Sequence, residues 1–417
     1  MELENAGMPG IRRMKESTMS YLIPWWDDYV DSHYNFITDE PTTGRKVTSH
    51  EIYEQPPYDG ILVSRGKIED NKKRFGMIQS AGVHEYVNFN GPVFGDCGAY
   101  GYIKEKEPPY SPTEIADYYD SIGFDYGVSV DHLIVSAVME QKHERFDLTL
   151  RNAEQFIHHH EGKGYEFIPV GAAQGWDRHS YAQAVEELLD MNYQYIAIGG
   201  LTRSQTPHVL EVLSGVNDVV KAKRRGGVGI HLFGIARLGA VEELRRFGVT
   251  SFDSASHLRR AWLGSRSNYI LPGGRGYAAI RVPQTNRSPA AKKILDAGEF
   301  GVDELKNMED ACMHLLREYD KGKTDLDEVL EAVLWYDSLM GDSRDHEDEY
   351  VDTLRNMPWR ECGCSICRNI GIEVVIFRGN NRNRRRGFHN TKVFYEELQR
   401  ILAGNIDEPK QTRLEEF

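Results

Sequence analysis

From Gly60 onward, short β-branched or aromatic runs alternate with longer amphipathic segments. This rhythm predicts βα units arranged around a parallel sheet. The predicted strands are Ile61–Ser64, Pro92–Asp96, Tyr126–Asp131, Phe167–Gly171, Tyr195–Gly199, Val228–Phe233, Thr250–Asp253 and Tyr277–Val282. Helical spacing fills the intervals: Phe146, Leu150, Ala153 and Ile157 fall on one face, as do Ala182, Val185 and Leu189. Ser111 followed by Pro112 makes a helix start, with serine as N-cap and proline at the first helical position. Eight strands with intervening helices predict an α/β fold of the (β/α)8 TIM-barrel type. A doubly wound open sheet is the competing topology, but no Gly-x-Gly-x-x-Gly follows the first predicted strand.

The pattern changes on either side of this core. Residues 1–58 are rich in aromatic and acidic side chains without clear period and read as an N-terminal extension to a 59–285 barrel. Residues 286–358 read as a helical insertion, with Leu305, Met308, Ala311 and Leu315 on a helical face. A zinc-binding subdomain with a closing helix is expected over 359–404, and a polar tail over 405–417.

Composition narrows the class. The chain has 417 residues, 40% hydrophobic and 27% charged, as in globular proteins. No apolar run is long enough to cross a bilayer and no basic n-region opens the chain, so a cytoplasmic protein without a membrane partner is expected. The net charge of −14 argues against indiscriminate coating of nucleic acid and leaves room for a local basic patch.

Three of the five cysteines, Cys362, Cys364 and Cys367, lie within six positions, and His389 follows. Three thiolates and an imidazole suit a tetrahedral Zn²⁺, and four protein ligands leave no position for water, which makes the expected ion structural. Three clustered buried thiols and an iron–sulfur cluster are the rival readings. The chemistry is expected elsewhere, at the C-terminal ends of the strands. Those ends carry Asp96, Asp131, Gln174, Gly199, Gly200, Gly234 and Asp253. Carboxylates supply a nucleophile and a general acid/base, glycines allow close backbone approach, and Asp131 with Gln174 offers donors and acceptors suited to a purine edge. Tyr100 is placed to stack on such a ring. Singly, each has a plainer use as helix cap or turn residue, and the joint placement carries the reading.

In order along the chain, these motifs resemble the tRNA-guanine transglycosylase superfamily, zinc-containing barrels that exchange guanine for a 7-deazaguanine. The residues concerned are Asp96-Cys97-Gly98-Ala99-Tyr100-Gly101, Ser129-Val130-Asp131, Ala173-Gln174-Gly175, Gly199-Gly200-Leu201, Leu232-Phe233-Gly234-Ile235, Phe252-Asp253 and the Cys-x-Cys-x-x-Cys with His389-Asn390. The resemblance implies Asp253 as nucleophile on C1′ and Asp96 as general acid/base. It implies base binding by Tyr100, Asp131, Gln174, Gly199, Gly200, Leu201 and Gly234. Structural zinc would sit on Cys362, Cys364, Cys367 and His389.

The departures point to a particular branch. Where the tRNA enzymes carry Pro-Thr-Arg after the nucleophile, this chain has Ser254-Ala255-Ser256-His257-Leu258-Arg259, and Cys97 and Ala99 replace Ser and Gly. These changes resemble the branch that modifies DNA, so the expected partners are DNA and 7-cyano-7-deazaguanine. tRNA is the alternative acceptor, and a non-catalytic zinc-barrel subunit the alternative function. Accessory DNA-handling proteins and a homodimer are compatible with this reading. Phosphates are expected to meet Arg378, Arg382, Arg384, Arg385 and Arg386 in a loop before His389, and Arg259 and Arg260 after the nucleophile. The run His158-His159-His160 cannot chelate one ion from a helix and is expected at a solvent-facing helix end.

Overall fold

The computed structural model describes residues 10–14, 18–42, 44–224, 226–264, 266–341 and 346–404. The expected polar tail over 405–417 lies outside the described residues. The described chain divides into two compact units. One comprises residues up to Trp26, 58–255 and 400–404; the other comprises 27–57 and 256–399.

The first unit is a closed barrel of eight parallel strands. They are β1 (Ser20–Pro24), β2 (Gly60–Ser64), β3 (Val93–Asp96), β4 (Tyr126–Val128), β5 (Ile168–Ala173), β6 (Tyr195–Ile198), β7 (Gly229–Leu232) and β8 (Val249–Asp253). Each strand pairs with the next, and β1 closes the ring between β8 and β2. The TIM-type fold is as the hydrophobic rhythm predicts, with two strands reassigned. Ser20–Pro24, inside the stretch read as an extension, is the first barrel strand, and Tyr277–Val282 is not a barrel strand. Gly276–Tyr277 instead pairs with Tyr269–Ile270, and Ile280–Arg281 pairs with Ile376–Phe377, both in the second unit. The physical reason is that a short run shows its alternation but not its partner. Tyr21 and Leu22 are fully buried, yet Pro24, Trp25 and Trp26 follow at once and hide the alternation.

Inside the barrel, Leu22, Leu62, Phe94, Tyr126, Val128, Val170, Ala172 and Ala197 form one core, closed at its lower end by Met14. Phe94 stacks on Tyr126 at 5.5 Å and on the His231 ring at 4.8 Å. Burial of each such ring contributes roughly 1.5–3 kcal/mol, which keeps the strand ends above it in fixed register. One expected helix face is buried throughout, while on helix Arg178–Asp190 Val185 and Leu189 are buried and Ala182 is half-buried. Phe146, Leu150, Ala153 and Ile157 are buried on helix Lys142–Lys163, and Ser111 with Glu114 forms a capping box at Pro112–Ile122.

The second unit is mainly helical, with helices Pro289–Ala297, Val302–Asp320, Leu326–Leu339, Glu347–Asn356 and Gly379–Leu402. Leu305, Leu316, Val329, Val333 and Leu354 are buried in it. No helix among the described residues is long and apolar enough to cross a membrane.

Candidate active site

β3 delivers Asp96 to the upper rim, in register with Ser64 of β2. Asp96 Oδ2 accepts a 3.2 Å hydrogen bond from the Gly98 N–H. Burial, reinforced by the neighbouring Asp131 carboxylate and more weakly by Asp253, raises its pKa to about 7. A carboxyl group in this state is a proton donor and acceptor at neutral pH.

Asp131 follows β4 and Gln174 follows β5, and the two meet: Gln174 Nε2 donates to Asp131 Oδ2 at 2.6 Å. The other Asp131 oxygen accepts from Cys97 Sγ at 3.3 Å, and Tyr102 donates to the Asp131 carbonyl at 2.9 Å. The carboxylate is therefore fixed from two sides, while burial raises its pKa. Gly199 follows β6 directly and lies against this pair, where an added Cβ would stand 2.3 Å from Gln174 Nε2 and force the amide to move. Tyr181 donates to the Gly199 carbonyl at 2.8 Å. Leu201 is buried beside it, and Tyr100 is 61% exposed with its hydroxyl 3.2 Å from Thr202 Oγ1. The ring is thus available at the mouth of the site, not packed beneath it.

Asp253 ends β8 in register with Leu22 of β1 and is 6% exposed. Its Oδ1 accepts from the Gly234 N–H at 2.9 Å and lies 3.2 Å from His231 Nε2. Gly234 adopts φ +70°, a left-handed conformation that aims its N–H at the carboxylate. Oδ2 receives no hydrogen bond from a described residue, which leaves one oxygen of a held carboxylate for an incoming electrophile. His231 is fully buried, and its Nδ1 meets Ser251 Oγ at 2.7 Å, which in turn lies 2.8 Å from the Tyr195 hydroxyl. The sequence reading passed over His231 and this chain of contacts. The available signal was one ring nitrogen pair inside the otherwise apolar strand Gly229–Leu232.

Asp96, Asp131, Gln174, Gly199, Gly234 and Asp253 thus converge on the C-terminal rim of one barrel. A family model described as queuine tRNA-ribosyltransferase matches residues 41–266, more than half of the chain. The DNA-guanine transglycosylase of Salmonella montevideo is 35% identical over 415 residues, covering 93% of this chain and 98% of that protein. The chain belongs to the tRNA-guanine transglycosylase family. It is a guanine transglycosylase, a pentosyltransferase. More distant relatives include the tRNA-guanine(15) transglycosylase of Korarchaeum cryptofilum, 27% identical over 46% of this chain and 32% of that protein. The enzyme of the same name from Aeropyrum pernix is 27% identical over 64% of this chain and 54% of its own length.

In this transglycosylase the five arginines before His389 do not form the loop expected from the sequence. They lie on the helix Gly379–Leu402 or just before it, and Arg378, Arg382, Arg385 and Arg386 are buried. Arg378 pairs with Asp39 and Glu309, and Arg382 with Asp39 and, at 2.7 Å, Glu373. Arg386 donates to the carbonyls of Ala261, Val374 and Ile376, and Arg385 to that of Asp31. Arg384 is half-buried, donates to the Tyr29 carbonyl at 2.8 Å and lies 3.4 Å from Asp28. Buried guanidinia require such partners, and those partners come from distant parts of the chain. Arg259 is exposed and Arg260 half-buried. The histidine run is also corrected in part: His160 is buried and donates from Nε2 to the Phe167 carbonyl at 2.7 Å, while His158 is exposed.

The metal candidate assembles in the second unit. The ligand atoms of Cys362, Cys364, Cys367 and His389 all lie within 4.8 Å of one another. His389 Nδ1 is 3.5, 3.5 and 3.4 Å from the three sulfurs in turn. Ligand bonds of about 2.3 Å to sulfur and about 2.0 Å to nitrogen in a tetrahedron place S and N about 3.5 Å apart, so the residues fit one ion such as zinc. Nε2 of His389 donates to the Ile270 carbonyl at 2.8 Å, which selects Nδ1 as the ligand. The Tyr269 ring stacks on the imidazole at 4.2 Å, and its hydroxyl lies 3.2 Å from Cys367 Sγ.

Proposed function

We propose that this transglycosylase replaces guanine in DNA by a 7-deazaguanine, 7-cyano-7-deazaguanine being the incoming base. The observation that carries the choice of acceptor is the near end-to-end similarity to a DNA-guanine transglycosylase, against partial coverage of the tRNA-guanine(15) enzymes. In the first half-reaction an Asp253 oxygen attacks C1′ of the deoxyguanosine. The C1′–N9 bond breaks, and the bonding pair leaves with guanine as Asp96 donates its proton to the departing base. In the second, the Asp96 carboxylate takes the N9 proton of the incoming deazapurine, whose nitrogen attacks C1′ and releases Asp253. Two displacements retain the anomeric configuration.

Asp131 accepts from the N1–H and exocyclic amine edge, and Gln174 with the Gly199–Leu201 backbone meets the carbonyl edge. Tyr100 covers the ring once the target nucleoside is turned out of its stack. Support for these roles lies in the hydrogen-bonded pair Gln174–Asp131 and in the oriented Asp253 carboxylate. Zn²⁺ on Cys362, Cys364, Cys367 and His389 holds the second unit together and takes no part in the exchange. Arg259 and Arg260 are retained as phosphate contacts.

Nucleoside mass spectrometry of DNA and tRNA, from cells expressing the protein with a source of 7-cyano-7-deazaguanine, tests the acceptor. The deazapurine is expected in DNA; its appearance in tRNA alone refutes the proposal.

The raised pKa of Asp96 predicts a pH profile. Formation of the glycosyl-enzyme requires the protonated acid, so its single-turnover rate is expected to fall about tenfold per pH unit above about 7. A rate that stays level to pH 9 refutes the assignment. Because the folded-state pKa lies above the ordinary carboxylate value, stability falls as pH rises from the ordinary carboxylate range to about 7, and the loss is complete above it. Asp96→Asn is therefore expected to be inactive yet to melt higher than the parent at pH 8, by about 2 °C or more.

A further inference from the structure

Around the closed barrel, β1 and β2 stand between the strands that carry the two carboxylates, in the order β8, β1, β2, β3. Leu22 is level with Asp253, and Ser64 is level with Asp96. The base-reading residues Asp131, Gln174 and Gly199 follow β4, β5 and β6 on the other side of the rim. A nucleoside whose base points to that side and whose C1′ faces Asp253 directs its phosphates over β1 and β2.

The chain leaving those two strands combines aromatic and basic side chains. β1 is followed by Trp25 and Trp26, and Trp26 is 44% exposed. β2 is followed by helices Arg65–Glu69 and Lys72–Ala81. Residues 64–81 contain five basic side chains (Arg65, Lys67, Lys72, Lys73, Arg74) and two acidic ones (Glu69, Asp70), a local excess of three positive charges in a chain of net −14. Glu69 is already engaged by Arg65 at 2.7 Å and by the Tyr110 hydroxyl at 2.8 Å. Lys72 and Lys73 are exposed and form no ion pair with a described residue. Lys67 Nζ lies 5.0 Å over the Trp26 ring, which joins the aromatic and the basic parts into one surface.

We infer that this surface, Trp26 with Lys67, Lys72 and Lys73, carries the DNA strand on either side of the target deoxyguanosine. The lysines meet flanking phosphates and Trp26 stacks on a neighbouring base, the combination by which proteins hold single strands without reading sequence. The inference rests on the DNA reading of the preceding section. It supplies the nucleic-acid contact that the buried arginines before His389 do not.

The test uses the full chain and guanine-containing oligonucleotides, with affinity measured as a function of salt. Lys72→Gln/Lys73→Gln is expected to weaken binding about tenfold or more near 100 mM salt. It is also expected to make the plot of log K against log salt shallower by about 1.5 to 2. Trp26→Ala is expected to cost about tenfold, with Trp26→Phe recovering most of it. The KM for DNA rises in each variant while kcat at saturating DNA is kept. If the lysine variant matches the parent in affinity and salt slope while the parent exchanges guanine in DNA, the surface is wrong and the function stands. If the parent exchanges guanine in tRNA and not in DNA, the functional reading fails and this inference fails with it.

Discussion

Replacing Asp253 by alanine is expected to lower the rate of base exchange by about 10⁴ or more, equivalent to about 5.5 kcal/mol of barrier. The covalent glycosyl-enzyme is expected to disappear with it. The expectation rests on the proposed double displacement and on the held carboxylate, with Oδ1 bonded by the Gly234 N–H, 3.2 Å from His231 Nε2, and the other oxygen unclaimed by any described donor. Asp253→Asn separates chemistry from architecture, because its amide oxygen still accepts from Gly234 but cannot form a stable ester with C1′. Both variants are expected to fold and to bind the deazaguanine base. Denaturing mass spectrometry of enzyme incubated with DNA reads the adduct directly. An exchange rate within tenfold of the parent in either variant refutes the double-displacement mechanism.

The sequence made some of this legible for physical reasons. Seven of the eight barrel strands are short apolar runs with a turn or helix signal on each side, and such runs are seen without knowing their partners. β1 was missed because Pro24, Trp25 and Trp26 follow it at once and break the apolar alternation that would mark a strand. Tyr277–Val282 was misassigned because Ile280 and its partner Ile376 are far apart in the chain, and pairing at that separation leaves no local trace. At the site, residues directly at strand ends were legible because a barrel places them by its architecture. His231 was not, since it lies within β7 and acts through the neighbouring strand.

Charge density misled where burial decided. Arg378 and Arg382 read as a basic loop because their acidic partners are distant, Asp39 lying 339 and 343 positions away. Conversely, the basic run from Arg65 to Arg74 drew no notice in the sequence, because its meaning depends on β2 standing next to β3. Net charge and residue runs describe the surface only after the tertiary structure has chosen which charges reach it.

Removal of the metal is expected to unfold the second unit. Three sulfurs and His389 Nδ1 lie at the spacing of one tetrahedral ion, and no fifth protein group or open position is needed to complete it. Without the ion, three thiols and an imidazole are left crowded and largely buried, with no ligand bonds to offset the crowding. The His389 ring, stacked on Tyr269 and bonded to Ile270, then loses the contact that ties helix Gly379–Leu402 to the Cys362–Cys367 turn. Zinc sites of this kind contribute about 10–16 kcal/mol of apparent binding energy at pH 7, which is folding energy when the unfolded chain holds no preformed site. Chelation is therefore expected to release one zinc per chain and to remove a large part of the far-ultraviolet helical signal, restored on adding zinc back. Cys367→Ser is expected to bring the same loss at lower chelator concentration. A chelated protein that keeps its helical signal and melts within about 2 °C of the zinc-loaded form refutes the structural role.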